Sequence, residues 1–407
     1  MRHARLRPSP AVIVLVAAFA VILVACTGGA AGAPILADPT AARPSIASPT
    51  QPPAAAADPR PVVLPRDDGP HDRLTEWWYY TGHLRAADGG RYGFEFVVFR
   101  AERGRFPTSW ASHLAITDEA GHRFLYSQRL EVGAQVDRSP RGPDGGPTGF
   151  DLSLDGTNPA RPESVGAPAW AMSGTGGRDH LVAVLAPAEA TLAGAPGGLG
   201  LDLDLAARKP AALHGRDGWL DFGPAGGSYY YSRTVMAALG SLTVDGRTLE
   251  VAGSVWFDHQ WGDFISVGGG GWDWFAVNLD DGTDLTFSLV READGSYPLI
   301  YGTVVAPDGS VRHLGRDAFS VEVTDRWMSG ATGADYPAGW TVRIPGDDLT
   351  ITLRPTVADQ ELDTRPTTGV VYWEGSQVIR AMRHGVPLTG EGYVELTGYA
   401  PSVIAGD

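Results

Sequence analysis

The chain has 407 residues and a formal net charge of −15 at pH 7; 43% of the residues are hydrophobic and 19% are charged. This length predicts two domains, and 53 glycines with 31 prolines indicate many turns rather than long helices. Because an acidic chain is repelled by phosphate backbones and by anionic lipid surfaces, we expect no nucleic-acid partner.

The N-terminus predicts export from the cytoplasm. Three arginines precede a 15-residue apolar run, "AVIVLVAAFAVILVA". A membrane span needs about 20 apolar residues, so we assign residues 1–25 to a secretory signal peptide. Its removal takes away three arginines and no acidic residue, which leaves a formal charge of −18.

The apolar run ends in "LVAC", which resembles the bacterial lipobox, where cleavage occurs before a cysteine that becomes lipidated. Cys26 is the only cysteine of the chain, so it has no intramolecular disulfide partner. An incidental cysteine behind an ordinary signal peptide is the alternative. Because stable anchoring needs more than one acyl chain, we expect a secreted cell-envelope lipoprotein held at the membrane through lipidated Cys26.

Residues 26–60 are rich in alanine, proline, glycine and serine and have no sustained apolar period. This composition predicts a disordered tether between the membrane and the folded part.

From about residue 70 onward, short strand-like runs alternate with tight turns. The clearest runs are 91–100, 282–291 and 348–355, and Asp-Gly turns stand at 88–89, 245–246, 281–282, 294–295 and 308–309. Asp-Gly between such runs is a strong hairpin signal, because both turn residues tolerate positive φ. The pattern predicts an all-β, antiparallel fold of barrels or sandwiches. A weak repeat between 75–96 and 271–289 suggests two lobes of similar build.

The most informative stretch is "WFDHQWGDF", residues 256–264. It sets Asp258 next to His259 among four aromatic residues, and buried ionisable groups cost free energy unless they are paired. We predict that Asp258 and His259 form the polar pair of the main cavity, near the junction of the lobes, with Trp261 as its aromatic wall. A buried Asp–His pair with a purely structural role is the alternative.

Further polar and aromatic candidates come from three other clusters. In a strand, Trp78 and Tyr80 face away from Trp77 and Tyr79, so one pair can line a cavity while the other packs outside. For any single tryptophan, a place in the core is the alternative. The candidate ligand-contacting residues are Glu76, Trp78, Tyr80, His113, Tyr229, Tyr231, Trp261, Trp272 and Trp274, and Asp273 joins Asp258 as a candidate acid.

Other catalytic classes lack their motifs. The chain has no G-x-S-x-G, HExxH or P-loop motif and no cysteine pair. His259 has no second histidine at ligand spacing, so we expect no metal and no organic cofactor.

Seven motifs in order, "EWWYYTGHL", "SHLAITD", "LHGRDGW…YYYSRT", "WFDHQWG", "GWDWFAVNLDDGTDL", "DQEL…YWEG" and "GYVELTGY", resemble the AttH-like/carotenoid 1,2-hydratase (hydroxyneurosporene synthase) family over about residues 70–400. The resemblance implies two lipocalin-like β-domains, which we place at 61–262 and 263–407. Relatives of the carotenoid hydratase add water to a terminal isoprenoid double bond without a redox cofactor, and similar folds occur among fungal cyclases. His259 with Trp261 is similar to the H-x-W of the hydratase site, and Asp273 after Trp272 is similar to its proton donor.

The main hypothesis is a monomeric, envelope-anchored protein that binds a hydrophobic, isoprenoid or lipid-like small molecule. The alternative is a cofactor-free hydratase. In it Asp258 or Asp273, its pKa raised among aromatic rings, donates a proton, aromatic faces stabilise the carbocation, and His259 deprotonates the attacking water. A secreted hydrolase or a polyene cyclase is a further alternative.

The first testable prediction concerns attachment. If Cys26 is acylated, wild-type protein sediments with membranes in fractionated cells. The Cys26→Ser variant lacks the acylated thiol and is released or mislocalised. Unchanged membrane fractionation of that variant would show that Cys26 is not the anchor.

Overall fold

The computed structural model describes residues 58–156, 164, 166–223, 226–264 and 270–400. The predicted signal peptide, Cys26 and all but the end of the predicted tether lie outside the described residues. At that end, the Tyr229 hydroxyl donates to the Asp58 carboxylate and accepts the backbone N–H of Arg60, each over 2.7 Å. Among the described helices, none combines the length and the apolar character needed to cross a membrane.

The described chain is built almost entirely from antiparallel strands in two sheets, one a nearly closed barrel and the other a half-barrel. This architecture confirms the predicted all-β fold of two lipocalin-like units. The described helices are short: an α-helix at Pro187–Leu192 and 3-10 turns at Arg66–Asp68, Ala134–Val136, Arg316–Ala318 and Pro345–Asp347.

The first sheet contains β1 (Thr75–Ala86), β2 (Arg91–Ala101), β3 (Ser109–Asp118), β4 (Arg123–Val132), β5 (Phe150–Leu154), β6 (Trp170–Thr175), β7 (Arg178–Val184), β8 (Leu199–Ala207), β9 (Ala212–Leu213), β10 (Trp219–Asp221), β11 (Gly227–Val244) and β12 (Arg247–Gly262). Its strand order is β4-β3-β2-β1-β12-β11-β8-β7-β6-β5, and β9 and β10 pair with β11.

The second sheet contains β13 (Gly271–Leu279), β14 (Asp284–Arg291), β15 (Leu299–Val305), β16 (Val311–Leu314), β17 (Ser320–Met328), β18 (Asp335–Ile344), β19 (Leu349–Pro355), β20 (Glu361–Asp363), β21 (Val371–Arg383) and β22 (Val386–Thr397). Its strand order is β16-β15-β14-β13-β22-β21-β19-β18-β17, and β20 pairs with β21. The proposed domain boundary at 262/263 falls directly after β12; as a domain boundary it stays a prediction.

The five Asp-Gly dipeptides named above all occupy hairpin turns, which confirms that prediction. The turns join β1 to β2, β11 to β12, β13 to β14, β14 to β15 and β15 to β16. Asp245 and Gly246 both have positive φ, of 50° and 76°, as a two-residue type I′ turn requires. The weak repeat also has a structural counterpart, because β1 and β13 pair with the last strands of their sheets, β12 and β22.

The central strands of both sheets are buried on both faces. One core lies inside the first sheet, another inside the second, and a third apolar cluster lies between the sheets. Trp78 and Tyr80 belong to the first core and Tyr79 to the cluster between the sheets, which confirms the predicted alternation along β1. The sheets approach closely at Gly93, where a Cβ atom would lie 2.3 Å from the Tyr393 hydroxyl oxygen.

The only lysine of the chain connects the two sheets. Lys209 follows β8, and its Nζ atom donates to the Gly282 carbonyl and to the Asp284 carboxylate of β14, each over 2.6 Å. The exposed fractions of the Lys209 and Asp284 side chains are 10% and 2%. Asp284 also accepts from the Thr234 hydroxyl of β11. Because a buried carboxylate is costly without a cation, this contact stabilises the docking of the sheets.

We therefore expect the Lys209→Ala variant to be destabilised, because it leaves the Asp284 carboxylate buried without its cation. The free energy of unfolding in urea should fall by about 3–5 kcal/mol. Arg343→Ala is the matched control, because Arg343 and Glu322 form an ion pair exposed to solvent, and such a pair contributes at most about 1 kcal/mol. Equal losses in the two variants would contradict the bridging role.

Candidate functional site

Asp258 and His259 are neighbours in the chain but lie on opposite faces of β12. Trp256 belongs to the cluster between the sheets and Phe257 to the first core, so the alternation sends Asp258 toward the second sheet and His259 inward. His259 bonds to Glu76, whereas Asp258 bonds to side chains on its own face. The predicted Asp258–His259 pair is therefore wrong, because the pleat of a strand separates adjacent side chains.

His259 is fully buried inside the first sheet. Glu76 Oε1 accepts from His71 Nδ1 over 2.7 Å and from His259 Nε2 over 2.9 Å; we call these three residues the His–Glu triad. The His259 ring stacks on Trp78 with 4.6 Å between ring centroids, and His71 stacks on Trp261 at 4.0 Å. The predicted site residues Glu76, Trp78 and Trp261 thus meet His259 inside the first sheet.

No second histidine stands near His259 in the sequence. In the folded structure, however, His71 lies next to His259, and both rings contact Glu76. His71 lies just before β1, and β1 pairs with β12 in a register that sets Trp78 opposite His259 and Glu76 opposite Trp261. Spacing along the chain could not reveal this neighbour, because it comes from a strand pairing that joins the two ends of the first sheet's sequence.

The three groups of the His–Glu triad differ in charge. Burial opposes ionisation of Glu76, but the two histidines outweigh it and lower its pKa to about 2. Burial also disfavours the charged form of His71, but the carboxylates of Glu76 and Asp67 raise its pKa above the usual value. For His259 burial prevails over the attraction of Glu76 and lowers the pKa. These shifts favour the carboxylate form of Glu76, the protonated form of His71 and the neutral form of His259.

Asp258 lies on the other face, in the gap between the sheets. Its carboxyl group accepts from the Tyr230 hydroxyl and from Trp256 Nε1, each over 2.6 Å, and Ser232 also donates to it. Burial raises the pKa of Asp258 to about 7, although these donors lower it. A carboxyl group of this kind holds a proton in a substantial fraction of molecules at neutral pH.

Three more carboxyl groups face this gap: Glu95 of β2, Glu374 of β21 and Glu395 of β22. Glu95 and Glu374 are fully buried and Glu395 is half-buried. Tyr372 of the second sheet donates to Glu95 over 2.8 Å, and Tyr79 of the first sheet donates to Glu374 over 2.6 Å. Each sheet therefore donates one tyrosine hydroxyl to a glutamate of the other sheet. We call Glu95, Asp258, Glu374 and Glu395 the acid cluster.

The geometry of the acid cluster favours protonated carboxyl groups. Glu374 and Glu395 are directly opposite each other in the register of β21 and β22, where two like charges repel. Burial and neighbouring carboxylates raise the pKa of Glu374 and of Glu95 well above the usual value, and burial raises that of Glu395 to about 7. Oε2 of Glu95 and Oε2 of Glu374 have no hydrogen-bond partner among the described residues. Such groups can act as proton donors.

A cavity of about 420 Å³ opens between the sheets, and no carboxyl group of the acid cluster belongs to its lining; we call it the inter-sheet cavity. Its buried wall includes Trp256, Ala276 and Tyr393, which belong to the apolar cluster between the sheets. Arg85 and Glu391 lie at its polar rim. Its size falls within the range of small-molecule pockets, about 300–1,000 Å³. Trp256 connects it to the acid cluster through the hydrogen bond to Asp258.

A second cavity, of about 720 Å³, lies along β5 to β8 and includes Asp179 in its lining. Asp179 accepts from the Tyr80 hydroxyl over 2.9 Å, and burial raises its pKa to about 7. None of the predicted site residues lines this cavity, and the acid cluster does not reach it.

Asp273 does not join the acid cluster. It lies on the inner face of β13, where it forms an ion pair with Arg291 and accepts from the Tyr399 hydroxyl over 3.0 Å. Trp272 and Trp274 lie on the outer face and pack in the cluster between the sheets. Asp273 and His259 are thus inside different sheets, and the expectation that they act on one substrate is wrong.

The remaining predicted residues divide between the same two layers. His113 faces the gap, and its ring is 2.7 Å from the Tyr372 hydroxyl and 3.1 Å from the Thr367 hydroxyl. Tyr229 and Tyr231 belong to the first core, as Tyr80 does.

Glu95, Glu374 and Glu395 escaped prediction. Each stands in a mainly apolar stretch of its strand, within "GFEFVV", "VYWEG" and "YVEL". A single carboxyl group in such a strand is costly to bury unless it is protonated or well bonded. A single glutamate within an apolar stretch of strand therefore indicates a buried carboxyl group, and this pattern is visible in the sequence.

The hydrogen bonds of Ser232 do not match the catalytic triad of a serine hydrolase. His214 Nε2 lies 2.7 Å from Ser232 Oγ, and Ser232 in turn donates to Asp258. In a catalytic triad the histidine stands between the nucleophile and the carboxylate, whereas here the serine stands between the other two. Burial also lowers the pKa of His214 to about 3.

The AttH-like family model matches residues 55–399. Among solved structures, the AttH candidate from Nitrosomonas europaea is 28% identical, with a TM-score of 0.69 over 86% of this chain and 100% of that one. Kievitone hydratase from Nectria haematococca is 16% identical, with a TM-score of 0.61 over 83% and 93%. CghA with Sch210972 is 14% identical, with a TM-score of 0.51 over 80% and 89%.

At identities of 16% and 14%, the likeness to the last two structures shows a shared fold alone. No curated protein matches the chain. The family model covers nearly the whole folded part of the sequence, and on that match the protein belongs to the AttH-like family.

Proposed function

We propose that this protein binds an apolar, unsaturated small molecule in the inter-sheet cavity and adds water to one of its double bonds, with the acid cluster as the proton source. The observation that carries the proposal is the reciprocal bonding of Glu95 to Tyr372 and of Glu374 to Tyr79, with the second carboxyl oxygen of each glutamate left without a partner. The fold that the chain shares with kievitone hydratase supports the choice of reaction.

Hydration of an alkene begins with proton transfer to carbon, so the acid must be protonated at neutral pH. Burial and neighbouring carboxylates give Glu374 a pKa well above the usual value. Tyr79 donates to Oε1 of Glu374 and leaves Oε2 to carry the proton. That proton forms a C–H bond with the π electron pair of the alkene and leaves a carbocation on the other carbon.

The carbocation lies among aromatic rings in this scheme. Trp256 and Tyr393 line the inter-sheet cavity, and a desolvated cation over an aromatic face gains about 2 kcal/mol or more. Water then forms the new C–O bond, and its surplus proton returns to the Glu374 carboxylate. The product is the alcohol formed by adding one water molecule to the alkene, and Glu374 is again protonated.

Binding without chemistry is the second candidate. The described residues that line the inter-sheet cavity include Trp256, Ala276 and Tyr393 but no carboxyl group of the acid cluster. A ligand that stays within this wall would be carried rather than hydrated. In either case we propose that the protein acts at the cell envelope, anchored through Cys26, on an isoprenoid or lipid-like ligand.

The direct test uses a linear isoprenoid polyene incubated with the protein in water labelled with heavy oxygen. Wild-type protein should give an alcohol that carries the label, detected by mass spectrometry. The Glu374→Gln variant keeps the shape of the side chain but loses the acid, so its rate should fall by about 10²–10⁴-fold, while polyene binding, followed by tryptophan fluorescence, persists.

Glu361→Gln is the matched control. Glu361 is also a buried glutamate bonded by hydroxyl groups, from Thr332 over 2.7 Å and Tyr336 over 2.9 Å, and it does not belong to the acid cluster. Full activity in the Glu374→Gln variant, or an equal loss in both variants, would overturn the role of Glu374. If wild-type protein binds the polyene but forms no labelled product, the second candidate, binding without chemistry, is supported and hydration is excluded for that polyene.

Asp258 should also make stability depend on pH. Its pKa rises from 3.8 to about 7 on folding because of burial, so the folded chain holds this proton more tightly than the unfolded chain. The contribution of Asp258 therefore becomes less favourable as pH rises from about 4 to about 7, by up to about 1.4 kcal/mol per pH unit, and is constant at higher pH.

The Asp258→Asn variant lacks this proton, so the wild-type stability should fall relative to that of the variant between about pH 5 and pH 7. Urea unfolding of both proteins across this range measures the difference. The exposed-site variant Glu322→Gln should follow the wild-type curve. A constant difference between wild type and Asp258→Asn would show that Asp258 is already ionised in the folded protein.

A further inference from the structure

The His–Glu triad brings together the side chains that a transition metal prefers. One ligand-type atom from each of His71, Glu76 and His259 lies within 4.8 Å of the other two. Two imidazoles and one carboxylate are a ligand set for zinc and for its neighbours in the first transition row. The inter-sheet cavity and the acid cluster lie on the other face of β1 and β12.

We propose that the His–Glu triad binds one divalent metal ion of the zinc class through His71 Nδ1, Glu76 Oε1 and His259 Nε2. Three protein ligands leave a fourth position of a tetrahedral ion open to water. The ion takes the place of the protons that now join Glu76 Oε1 to the two rings. The site is independent of the hydration chemistry proposed above.

The surroundings hold the three ligands in position. Trp261 packs against both rings, at 4.0 Å from the centroid of His71 and 4.6 Å from that of His259. Glu76 Oε2 accepts the backbone N–H of His71 over 2.9 Å, which turns Oε1 toward the two rings. Asp67 lies 3.6 Å behind Nε2 of His71, and a carboxylate in that place orients a ligand histidine and raises its basicity.

Of the three ligands, His71 is the one with an exposed part. The side chains of Glu76 and His259 are fully buried, whereas 18% of the His71 side chain is exposed. His71 belongs to the segment between the 3-10 turn at Arg66–Asp68 and β1. An ion therefore reaches the site from the side of His71, the ligand that has room to adjust.

The test uses the full chain, treated with a chelator, dialysed and then titrated with zinc chloride by calorimetry. We expect one ion per chain and a melting temperature that rises with zinc. Cobalt(II) should give the visible absorption of a site with nitrogen and oxygen ligands. His71→Ala should weaken zinc binding by at least about tenfold, since the loss of an outer partner alone costs about 10–100-fold.

His180→Ala is the matched control, because His180 is an exposed histidine with Asp204 at 3.0 Å and Asp202 at 3.7 Å. Its zinc binding should equal that of wild type. We chose to mutate His71 because it is the most exposed of the three ligands, so its replacement should disturb the fold least. Circular dichroism checks that the His71→Ala variant is folded. Absence of zinc uptake by folded wild type, uptake unchanged in His71→Ala, or uptake lost in His180→Ala would each overturn the site.

Discussion

The pleat of β1 and β12 determines which layer of the structure each of their polar side chains enters, and therefore which partners it can bind. Most of β1 and the second half of β12 are buried on both faces, so successive residues there belong alternately to the first core and to the layer between the sheets. A buried polar group must find its hydrogen bonds within its own layer. His259 therefore bonds to Glu76 inside the first sheet, and Asp258 bonds to Tyr230 between the sheets. Two separate polar systems result from one continuous stretch of sequence.

The buried carboxyl groups of this protein have two kinds of hydrogen-bond partner. Asp284 is paired with Lys209, and Glu189 is held by two hydrogen bonds from Arg129, of 3.0 and 2.8 Å. In the acid cluster the partners are uncharged hydroxyl and indole groups instead, so burial keeps the proton on the carboxyl group. The buried carboxyl groups therefore divide into those that contact a cation, such as Asp284, and those of the acid cluster, which contact uncharged donors.

The sequence was informative wherever the physical cause is local. Asp-Gly turns and the alternation of Trp78 and Tyr80 with Tyr79 follow from turn geometry and strand period. The same period, applied to β12, would have separated Asp258 from His259. The approach of His71 to His259 depends on the register of β1 against β12, and the Glu374–Tyr79 bond depends on how the sheets dock. Neither the register nor the docking is encoded in residue spacing, so these contacts required the structure.

Sheet docking and ligand binding are linked in this architecture. The inter-sheet cavity takes Thr81 and Trp256 from the first sheet and Ala276 and Tyr393 from the second. The ligand proposed above would replace contacts that otherwise join the two sheets, so its affinity would depend on how firmly they are held together elsewhere. The Lys209 bridge supplies such a hold away from the cavity lining. The Lys209 bridge and the hydrogen bonds of Tyr372 to Glu95 and of Tyr79 to Glu374 therefore join the sheets outside the cavity lining, so the proposed ligand would not have to break them.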